Sequence, residues 1–109
     1  MIKEIGVDII SIKKFGRIKK ADFKHWNKVF NEKEWKYAFA GKIKFAERLA
    51  GIFAAKEAAM KAFGKTGVKN FLAFEITHLP SGAPKLNKPR SKISIAHNQD
   101  MAVAVVLRT

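Results

Sequence analysis

The amino-acid sequence predicts an α+β protein in which an N-terminal strand and a helical segment are followed by antiparallel strands. Three observations predict this class: a β-branched run near the N-terminus, apolar residues at spacings of three and four through the middle of the chain, and alternating polarity after it. The chain has 109 residues, 48% of them hydrophobic, with nine Phe and two Trp. A single domain covering residues 1–109 is therefore expected, and a disordered basic tail is excluded.

The first half of the chain is predicted to contain one strand and several helical turns. The strand covers Ile2–Ile10, which is rich in β-branched residues. The segment Ser11–Ala40 is expected to be rich in helix because its apolar residues recur every three or four positions. Within it, Asn31 is expected to cap a helix whose first turn contains Glu32 and Glu34.

The clearest helix prediction is Phe45–Phe63, which is rich in Ala, lacks Pro and is followed by Gly64 as the expected C-terminal cap. On a helical wheel at about 100° per residue, large apolar side chains share one face and small residues cover most of the rest. Such a helix should be buried, and its small residues should let a neighbouring element approach closely. The large residues are Leu49, Ile52, Phe53, Met60 and Phe63, and the small ones are Ala50, Gly51, Ala54, Ala55, Ala58, Ala59 and Ala62.

Four further strands are predicted after this helix. The last of them is apolar on both faces and should therefore lie in the middle of a sheet. Turn sequences separate the strands at Pro80–Gly82 and Asn98–Asp100. The predicted strands are Leu72–His78, Pro84–Leu86, Lys92–Ala96 and Met101–Leu107.

The charge of the chain predicts an anionic partner. Lys and Arg outnumber Asp and Glu by 22 to 9, which gives a formal net charge of +13. Nucleic acid, an anionic membrane, an acidic protein and a phosphate-rich small molecule all fit this excess, and so does a surface that is merely rich in Lys. A one-signed surface is expected where Asp22 is the only acid among Lys13, Lys14, Arg17, Lys19, Lys20, Lys24 and Lys28.

Several classes of protein are excluded or disfavoured by composition. The chain has no cysteine, which excludes a disulfide framework, a thiol nucleophile and a Cys-ligated metal site. No apolar run approaches the roughly 20 residues of a membrane span. The N-terminal residues lack the charge order of a signal peptide. The expected location is the cytoplasm, with no membrane partner.

Two carboxylates lie within apolar segments of the chain and are therefore candidates for a functional role. Asp8 lies inside the first strand, and Glu57 lies on the shoulder of the large-residue face of the long helix. Two carboxylates from separate elements can hold Mg²⁺ with positions left open for phosphate oxygens, while Lys56 and Lys61 would neutralise the phosphates. The structural alternatives are an edge-strand carboxylate at Asp8, a Glu57–Lys61 pair within the helix, and an ammonium of Lys56 that reaches outward.

His97 is the third residue of interest, because it ends a predicted strand directly before a turn. A lone histidine at such a position is more often structural than catalytic. His25 and His78 stand in unrelated contexts, so no zinc-binding spacing is present.

Four parts of the chain strongly resemble the holo-[acyl-carrier-protein] synthases, the small 4′-phosphopantetheinyl transferases. The matching segments are Gly6–Ile9, Leu49–Ala58 continuing to Lys61–Gly64, Gly82–Pro84 and Ser94–His97. The resemblance implies the 4′-phosphopantetheinyl transferase fold and an enzyme that moves the phosphopantetheine arm of coenzyme A to a serine of apo acyl carrier protein, releasing adenosine 3′,5′-bisphosphate. It also implies a homotrimer with active sites at subunit interfaces.

By position, the resemblance implies roles for the residues singled out above. Asp8 and Glu57 would hold Mg²⁺ on the coenzyme A pyrophosphate, and Glu57 or a water on the metal would accept the serine proton. The residues expected along the coenzyme A phosphates are Lys56, Lys61, Gly64 and His97, with Lys61 also stabilising charge during transfer.

This chain departs from the family pattern at three positions. The family usually has Arg where this chain has Ile52, often a hydroxyl residue in place of Ala96, and often a basic residue in place of Ala83. Arg48 lies one helical turn before Ile52, so we expect that Arg48, or a lysine of a neighbouring subunit, supplies the missing cation.

The resemblance also gives the basic segment a specific partner. Acyl carrier proteins are acidic, and a basic surface after the Asp8 strand could steer one toward the site. The alternatives are a small basic nucleic-acid-binding module, which would leave Asp8 and Glu57 unexplained, and an inactive relative that only binds carrier protein. No nucleic-acid partner is expected. The residues assigned to carrier-protein binding are Lys13, Lys14, Arg17, Lys20 and Lys24.

Overall fold

A long helix packed across one face of a three-stranded antiparallel sheet forms the centre of the fold. A computed structural model describes residues 1–41, 44–64 and 70–109. The strands are β1 (Glu4–Ser11), β2 (Ile76–His78), β3 (Pro84–Leu86), β4 (Ser91–His97) and β5 (Met101–Arg108). The helices are α1 (Phe23–Trp26), α2 (Glu32–Phe39) and α3 (Phe45–Ala62), and short 3₁₀ turns cover Ile12–Phe15, Lys20–Asp22 and Phe71–Ala73.

Strand β5 occupies the centre of the main sheet, as its two apolar faces predict. The strand order is β1-β5-β4, and both pairings are antiparallel. The register places Asp8 of β1 opposite Ala104 of β5. Strands β2 and β3 form a separate antiparallel pair. In their turn the Leu79 N–H donates to the Ala83 carbonyl at 2.9 Å and the Gly82 N–H donates to the Leu79 carbonyl at 2.8 Å. Gly82 takes a positive φ of 91° that suits glycine.

The small residues of α3 bring this helix close to β1. A Cβ added to Gly6 would overlap the Ala58 carbonyl oxygen and would lie 2.9 Å from the Ala62 nitrogen. A Cβ added to Gly51 would lie 3.3 Å from Cγ2 of Ile95. The prediction of a buried helix with a close-packed small-residue side is therefore confirmed.

The helical segment before α3 is divided into short pieces, which an aromatic cluster holds together. Helix α2 begins as predicted: the Asn31 side chain accepts from the Glu34 N–H at 2.8 Å, and the Glu34 carboxylate accepts from the Asn31 N–H at 2.8 Å. The aromatic rings that recur at helical spacing pack in the core and make ring contacts along Phe15, Phe23, Trp26, Phe30, Trp35, Phe39 and Phe53.

Two predictions of local structure are wrong. The strand expected from Leu72 begins only at Ile76, because the Asn70 side chain accepts from the Leu72 N–H at 2.9 Å and stabilises a 3₁₀ turn there. Gly64 does not cap α3 in a left-handed conformation, since its φ is not positive. The helix instead ends where the Phe63 N–H donates to the Ala59 carbonyl at 2.9 Å.

None of the helices in the described ranges combines the length and the apolar character that a bilayer span needs.

Candidate active site

Asp8 and Lys61, which are 53 positions apart in the sequence, meet where β1 crosses the C-terminal half of α3. The Lys61 ammonium donates to the Val7 carbonyl at 2.8 Å and lies 3.4 Å from Oδ1 of Asp8. The Asp8 side chain is 17% exposed and the Lys61 side chain is 55% exposed. The structure therefore joins these two predicted residues at the surface, where a ligand can reach them.

Glu57 lies one helical turn before Lys61 and so projects from the same side of α3. It is partly buried, and no other residue in the described ranges forms a hydrogen bond or an ion pair with its carboxylate. The expected alternative of a Glu57–Lys61 pair is not formed, because Lys61 is bonded to β1 instead.

Asp8 and Glu57 each offer a carboxylate that could hold a magnesium ion. Carboxylate oxygens are the ligands that Mg²⁺ prefers, and this ion commonly takes only one or two of them from protein. Within the described residues no group of three or more His, Cys, Asp or Glu could hold a metal. A metal bound by these two carboxylates would complete its coordination with water and with phosphate oxygens of a substrate.

Lys56 is placed differently from the sequence expectation. Its side chain is 0% exposed, and its ammonium lies 2.7 Å from Oε1 of Glu34. The same ammonium donates to the Val29 carbonyl at 2.7 Å and to the Phe71 carbonyl at 3.2 Å. All three of its N–H groups therefore have protein acceptors, which leaves none for a phosphate and excludes the outward-reaching alternative. Desolvation lowers the pKa of Lys56, although Glu34 opposes this effect.

Glu34 caps α2 and also makes tertiary bonds that the sequence did not predict. One oxygen accepts from the Asn31 N–H and pairs with Lys56, and the other accepts from the Ile76 N–H at 2.8 Å. It thereby links α2 to both α3 and β2. A glutamate three residues after an N-cap already fits a capping box, so the local pattern carries no signal for the longer-range bonds.

A cavity of about 290 Å³ lies at the other end of α3 and contains two of the predicted residues. Arg48 and His97 both line it, and so does Ile52, the position where the family usually has Arg. The remaining lining residues are Tyr37, Lys44, Glu47, Gly51, His78, Gly82, Pro84 and Ile95.

The Arg48 guanidinium is held in place by Tyr37. Its Nη1 donates to the Tyr37 carbonyl at 2.9 Å, and its Cζ lies 4.8 Å from the centroid of the Tyr37 ring. The Tyr37 ring also stacks on the ring of His78 at a centroid distance of 3.9 Å. Desolvation and the Arg48 charge lower the pKa of His78, so this imidazole is neutral near pH 7. Neither Tyr37 nor His78 stood out in the sequence, because only the fold brings them together.

The predicted site residues therefore fall into two groups along α3. Asp8, Glu57 and Lys61 lie near its C-terminal end, where Gly64 is exposed, whereas Arg48 and His97 lie near its start. The 13 residues from Arg48 to Lys61 correspond to about 20 Å of helix at about 1.5 Å per residue. A ligand that contacts both groups of one subunit must be extended, or else two subunits must contribute to one site.

The basic segment between β1 and α2 is exposed, as predicted. Lys13 and Lys14 follow β1 directly, within six residues of Asp8. Every Phe, Trp and Tyr side chain in the described ranges is buried or partly buried, and none is among the exposed large apolar residues. The nucleic-acid alternative therefore lacks the row of stacking rings that it would use. The exposed basic residues are Lys13, Lys14, Arg17, Lys19, Lys20, Lys24 and Lys28.

Comparison with protein families and curated proteins identifies relatives over nearly the whole chain. The family model described as the 4′-phosphopantetheinyl transferase superfamily matches residues 4–106. The holo-[acyl-carrier-protein] synthase of Thermodesulfovibrio yellowstonii is 36% identical over an alignment 114 positions long, which covers 100% of both chains. The enzyme of the same name from Clostridium tetani is 37% identical, and the alignment covers 95% of this chain and 93% of that one.

Solved structures show the same fold. The holo-(acyl-carrier-protein) synthase of Bacillus anthracis in complex with CoA (3′,5′-ADP) aligns with a TM-score of 0.80 and 34% identity, covering 98% of this chain and 96% of the other. The Helicobacter pylori synthase in complex with coenzyme A aligns with a TM-score of 0.79 and 28% identity, covering 96% and 99%. The chain belongs to the holo-[acyl-carrier-protein] synthase family of 4′-phosphopantetheinyl transferases.

Proposed function

We propose that this enzyme transfers the 4′-phosphopantetheine group of coenzyme A to a serine of apo acyl carrier protein in a magnesium-dependent reaction. The observation that carries the proposal is the cluster at the C-terminal half of α3, where the exposed Lys61 ammonium lies 3.4 Å from Asp8, one turn beyond Glu57. The relatives and their coenzyme A complexes support the same substrates.

The residues of this cluster would divide the chemistry among them. Asp8 and Glu57 would hold Mg²⁺, which supplies neutralising charge for the pyrophosphate oxygens when it is bound. The Lys61 ammonium would stabilise the negative charge that develops on the leaving phosphate. Glu57, whose carboxylate no other residue in the described ranges engages, would accept the proton of the serine hydroxyl.

The bond changes balance without any further reactant. The serine oxygen attacks the β-phosphorus of coenzyme A in line with the bridging oxygen of the pyrophosphate. A new phosphorus–oxygen bond forms to serine, and the bond from the β-phosphorus to the bridging oxygen breaks. The serine proton goes to the base, and adenosine 3′,5′-bisphosphate leaves with the bridging oxygen.

The cavity at the start of α3 would hold the nucleotide end of coenzyme A. Arg48 and His97 would contact its phosphates, and Gly64 would lie along the pyrophosphate beside Lys61. Because Arg48 and Ile52 line the same cavity, Arg48 can present a cation where the family's arginine is missing. Its hydrogen bond to the Tyr37 carbonyl leaves other N–H groups of the guanidinium for a phosphate.

A homotrimer would bring the two groups of site residues together and would cover an apolar surface. The outward face of β1 exposes Ile5, Val7 and Ile9, with 62%, 53% and 60% of their surfaces accessible. Alternate residues of β5 continue this apolar face at Val103, Val105 and Leu107. A contiguous apolar face of this kind is typical of a subunit interface.

Intact-mass measurement of a carrier protein tests the proposed activity. The enzyme is incubated with Mg²⁺, coenzyme A and apo acyl carrier protein, and the carrier should gain the mass of one phosphopantetheine. Asp8→Ala and Glu57→Ala should each abolish the gain, whereas Glu32→Ala, which removes an exposed acid on α2, should not. Transfer that survives both site substitutions would refute the metal assignment. A wild-type enzyme that leaves the carrier mass unchanged would indicate an inactive carrier-binding relative.

A further inference from the structure

Glu47 is an acidic side chain in a cavity that is proposed to receive phosphates. It is the one acid that lines this cavity within the described ranges, where the other ionisable side chains apart from Tyr37 are Lys44, Arg48, His78 and His97. A carboxylate there opposes the binding of an anion unless its own charge is engaged. The effect of Glu47 on anion binding therefore depends on the group that its carboxylate contacts in the cavity.

That group is His97. Oε1 of Glu47 lies 3.0 Å from Nδ1 of His97, and the two side chains are 30% and 46% exposed. A carboxylate accepts hydrogen bonds and donates none, so a hydrogen bond between these two atoms requires the proton on Nδ1. The nitrogen that remains for a ligand is Nε2.

Glu47 and His97 both lie on regular secondary-structure elements, which fix their backbones. Glu47 lies in the first turn of α3, and His97 is the last residue of β4. The helix and the strand are in contact one turn further along α3, where Gly51 faces Ile95. A hydrogen bond across this 3.0 Å contact would restrain the imidazole between two rigid elements and set the direction of Nε2.

We propose that Glu47 is a positioning residue that fixes the tautomer and orientation of His97, so that Nε2 is the atom presented to a phosphate in the cavity. The identity of that phosphate as part of coenzyme A rests on the proposed function. Nε2 donates to a phosphate oxygen when both ring nitrogens carry protons, and the Glu47 carboxylate beside Nδ1 then balances the positive charge of the ring. Glu47 thus contributes to anion binding through His97, although its own charge is negative.

Nuclear magnetic resonance of the histidine nitrogens tests the proposal on the unliganded full chain, without any assay of activity. Two-bond and three-bond ¹⁵N–¹H correlations of His97, at a pH where its ring is neutral, should show Nδ1 protonated in the wild type. Glu47→Ala should shift the ring toward the Nε2–H tautomer that predominates in free histidine. Glu47→Gln should keep the wild-type tautomer because its amide oxygen still accepts from Nδ1, and Glu32→Ala is the matched control for loss of one exposed acid.

Steady-state kinetics supply the second readout. Loss of one hydrogen-bond partner predicts that Glu47→Ala raises the KM for coenzyme A about five- to tenfold, with kcat within about twofold of the wild type. Glu47→Gln should restore part of the KM. In a His97→Ala background, Glu47→Ala should have no further effect, because the positioned ring is already absent.

Two results would overturn the proposal: the same His97 tautomer in the wild type and in Glu47→Ala, or additive effects of Glu47→Ala and His97→Ala on the KM. Failure of the proposed function would be seen separately. In that case the wild type would leave the carrier protein unmodified, while the His97 tautomer would still respond to Glu47.

Discussion

The Lys56 ammonium is buried in the core, where its bonds link four segments of the chain. Its ammonium bonds the Glu34 carboxylate and the carbonyls of Val29 and Phe71, and Glu34 in turn bonds the Ile76 N–H. Removal of one member of a buried ion pair leaves the other charge uncompensated, which costs more than the pair itself contributes. Lys56 is therefore a structural residue that lies next to the proposed metal ligand Glu57.

Substitution of Lys56 tests this role. Lys56→Met should lower the free energy of unfolding by about 3 kcal/mol, because the Glu34 charge is left buried without its partner. The double variant Glu34→Gln/Lys56→Met should recover part of that loss, since no unpaired charge remains. Urea denaturation at one fixed protein concentration measures both. Equal stabilities of the single and double variants would contradict the ion-pair explanation.

His78 predicts a pH dependence of stability at the residue scale. Desolvation and Arg48 lower its pKa below the usual 6.5, so on acidification the unfolded chain takes up a proton that the folded protein does not. The contribution of His78 is fully present above pH 6.5 and is lost as the pH falls through and below this value. His78→Phe keeps an aromatic ring against Tyr37 and should reduce the loss of stability between about pH 7 and about pH 5. Parallel stability curves for the two proteins, measured by urea denaturation, would be the contrary result.

At the scale of the elements, the contact between β1 and α3 depends on the absence of a side chain at Gly6. Gly6→Ala should destabilise the protein by about 2 kcal/mol, because the added methyl group meets the Ala58 carbonyl, which cannot move without the helix. Gly16→Ala is the matched control: its Cβ would lie 3.4 Å from the Lys13 carbonyl, at ordinary contact distance, and stability should change by less than about 0.5 kcal/mol. Thermal unfolding of the two variants gives the comparison, and equal effects would contradict the close-packing argument.

The elements that could be predicted from the sequence are those defined by local patterns. The central strand β5 follows from a continuous run of apolar residues, and helix α3 follows from a long Ala-rich segment without Pro. The strand expected from Leu72 failed because one side chain, Asn70, competes locally for the backbone. The burial of Lys56 could not be foreseen, because its partner Glu34 is 22 positions away and belongs to another helix.

The same distinction applies to the candidate site. Asp8, Glu57 and Lys61 were recognisable because charges are conspicuous in apolar segments, and the fold brings Asp8 to Lys61. The Tyr37–His78 stack and the Glu47–His97 contact each join residues from different elements, at separations of 41 and 50 positions. Nothing in their immediate neighbourhoods marks them, so only the tertiary structure shows these contacts.

At the scale of the whole molecule, the outward apolar face of β1 predicts an oligomer. Ile5→Lys should convert a species with the mass of three chains into single chains, because a charge buried in the interface is not compensated. The same variant should lower the rate of transfer to carrier protein if two subunits complete each site. Leu79→Lys is the matched control, since Leu79 is 50% exposed and lies outside the main sheet. Light scattering after size exclusion gives the mass, and a trimer that persists in Ile5→Lys would place the interface elsewhere.

The distribution of charge over the whole surface predicts how the carrier protein approaches. Lys14, Arg17 and Lys24 are exposed and follow the Asp8 strand, so reversal of their charge should raise the KM for an acidic carrier protein while the KM for coenzyme A stays nearly unchanged. The effect should diminish as ionic strength rises, because salt screens exposed charges.

Lys85→Glu makes the same change of net charge at an exposed position on β3 and should leave the carrier-protein KM at its wild-type value. If Lys85→Glu raised this KM as much as Lys14→Glu, Arg17→Glu and Lys24→Glu do, the carrier protein would be responding to the net charge of +13 and not to a docking surface. Unfolding free energies within about 0.5 kcal/mol of the wild type would confirm that the substitutions act on binding alone.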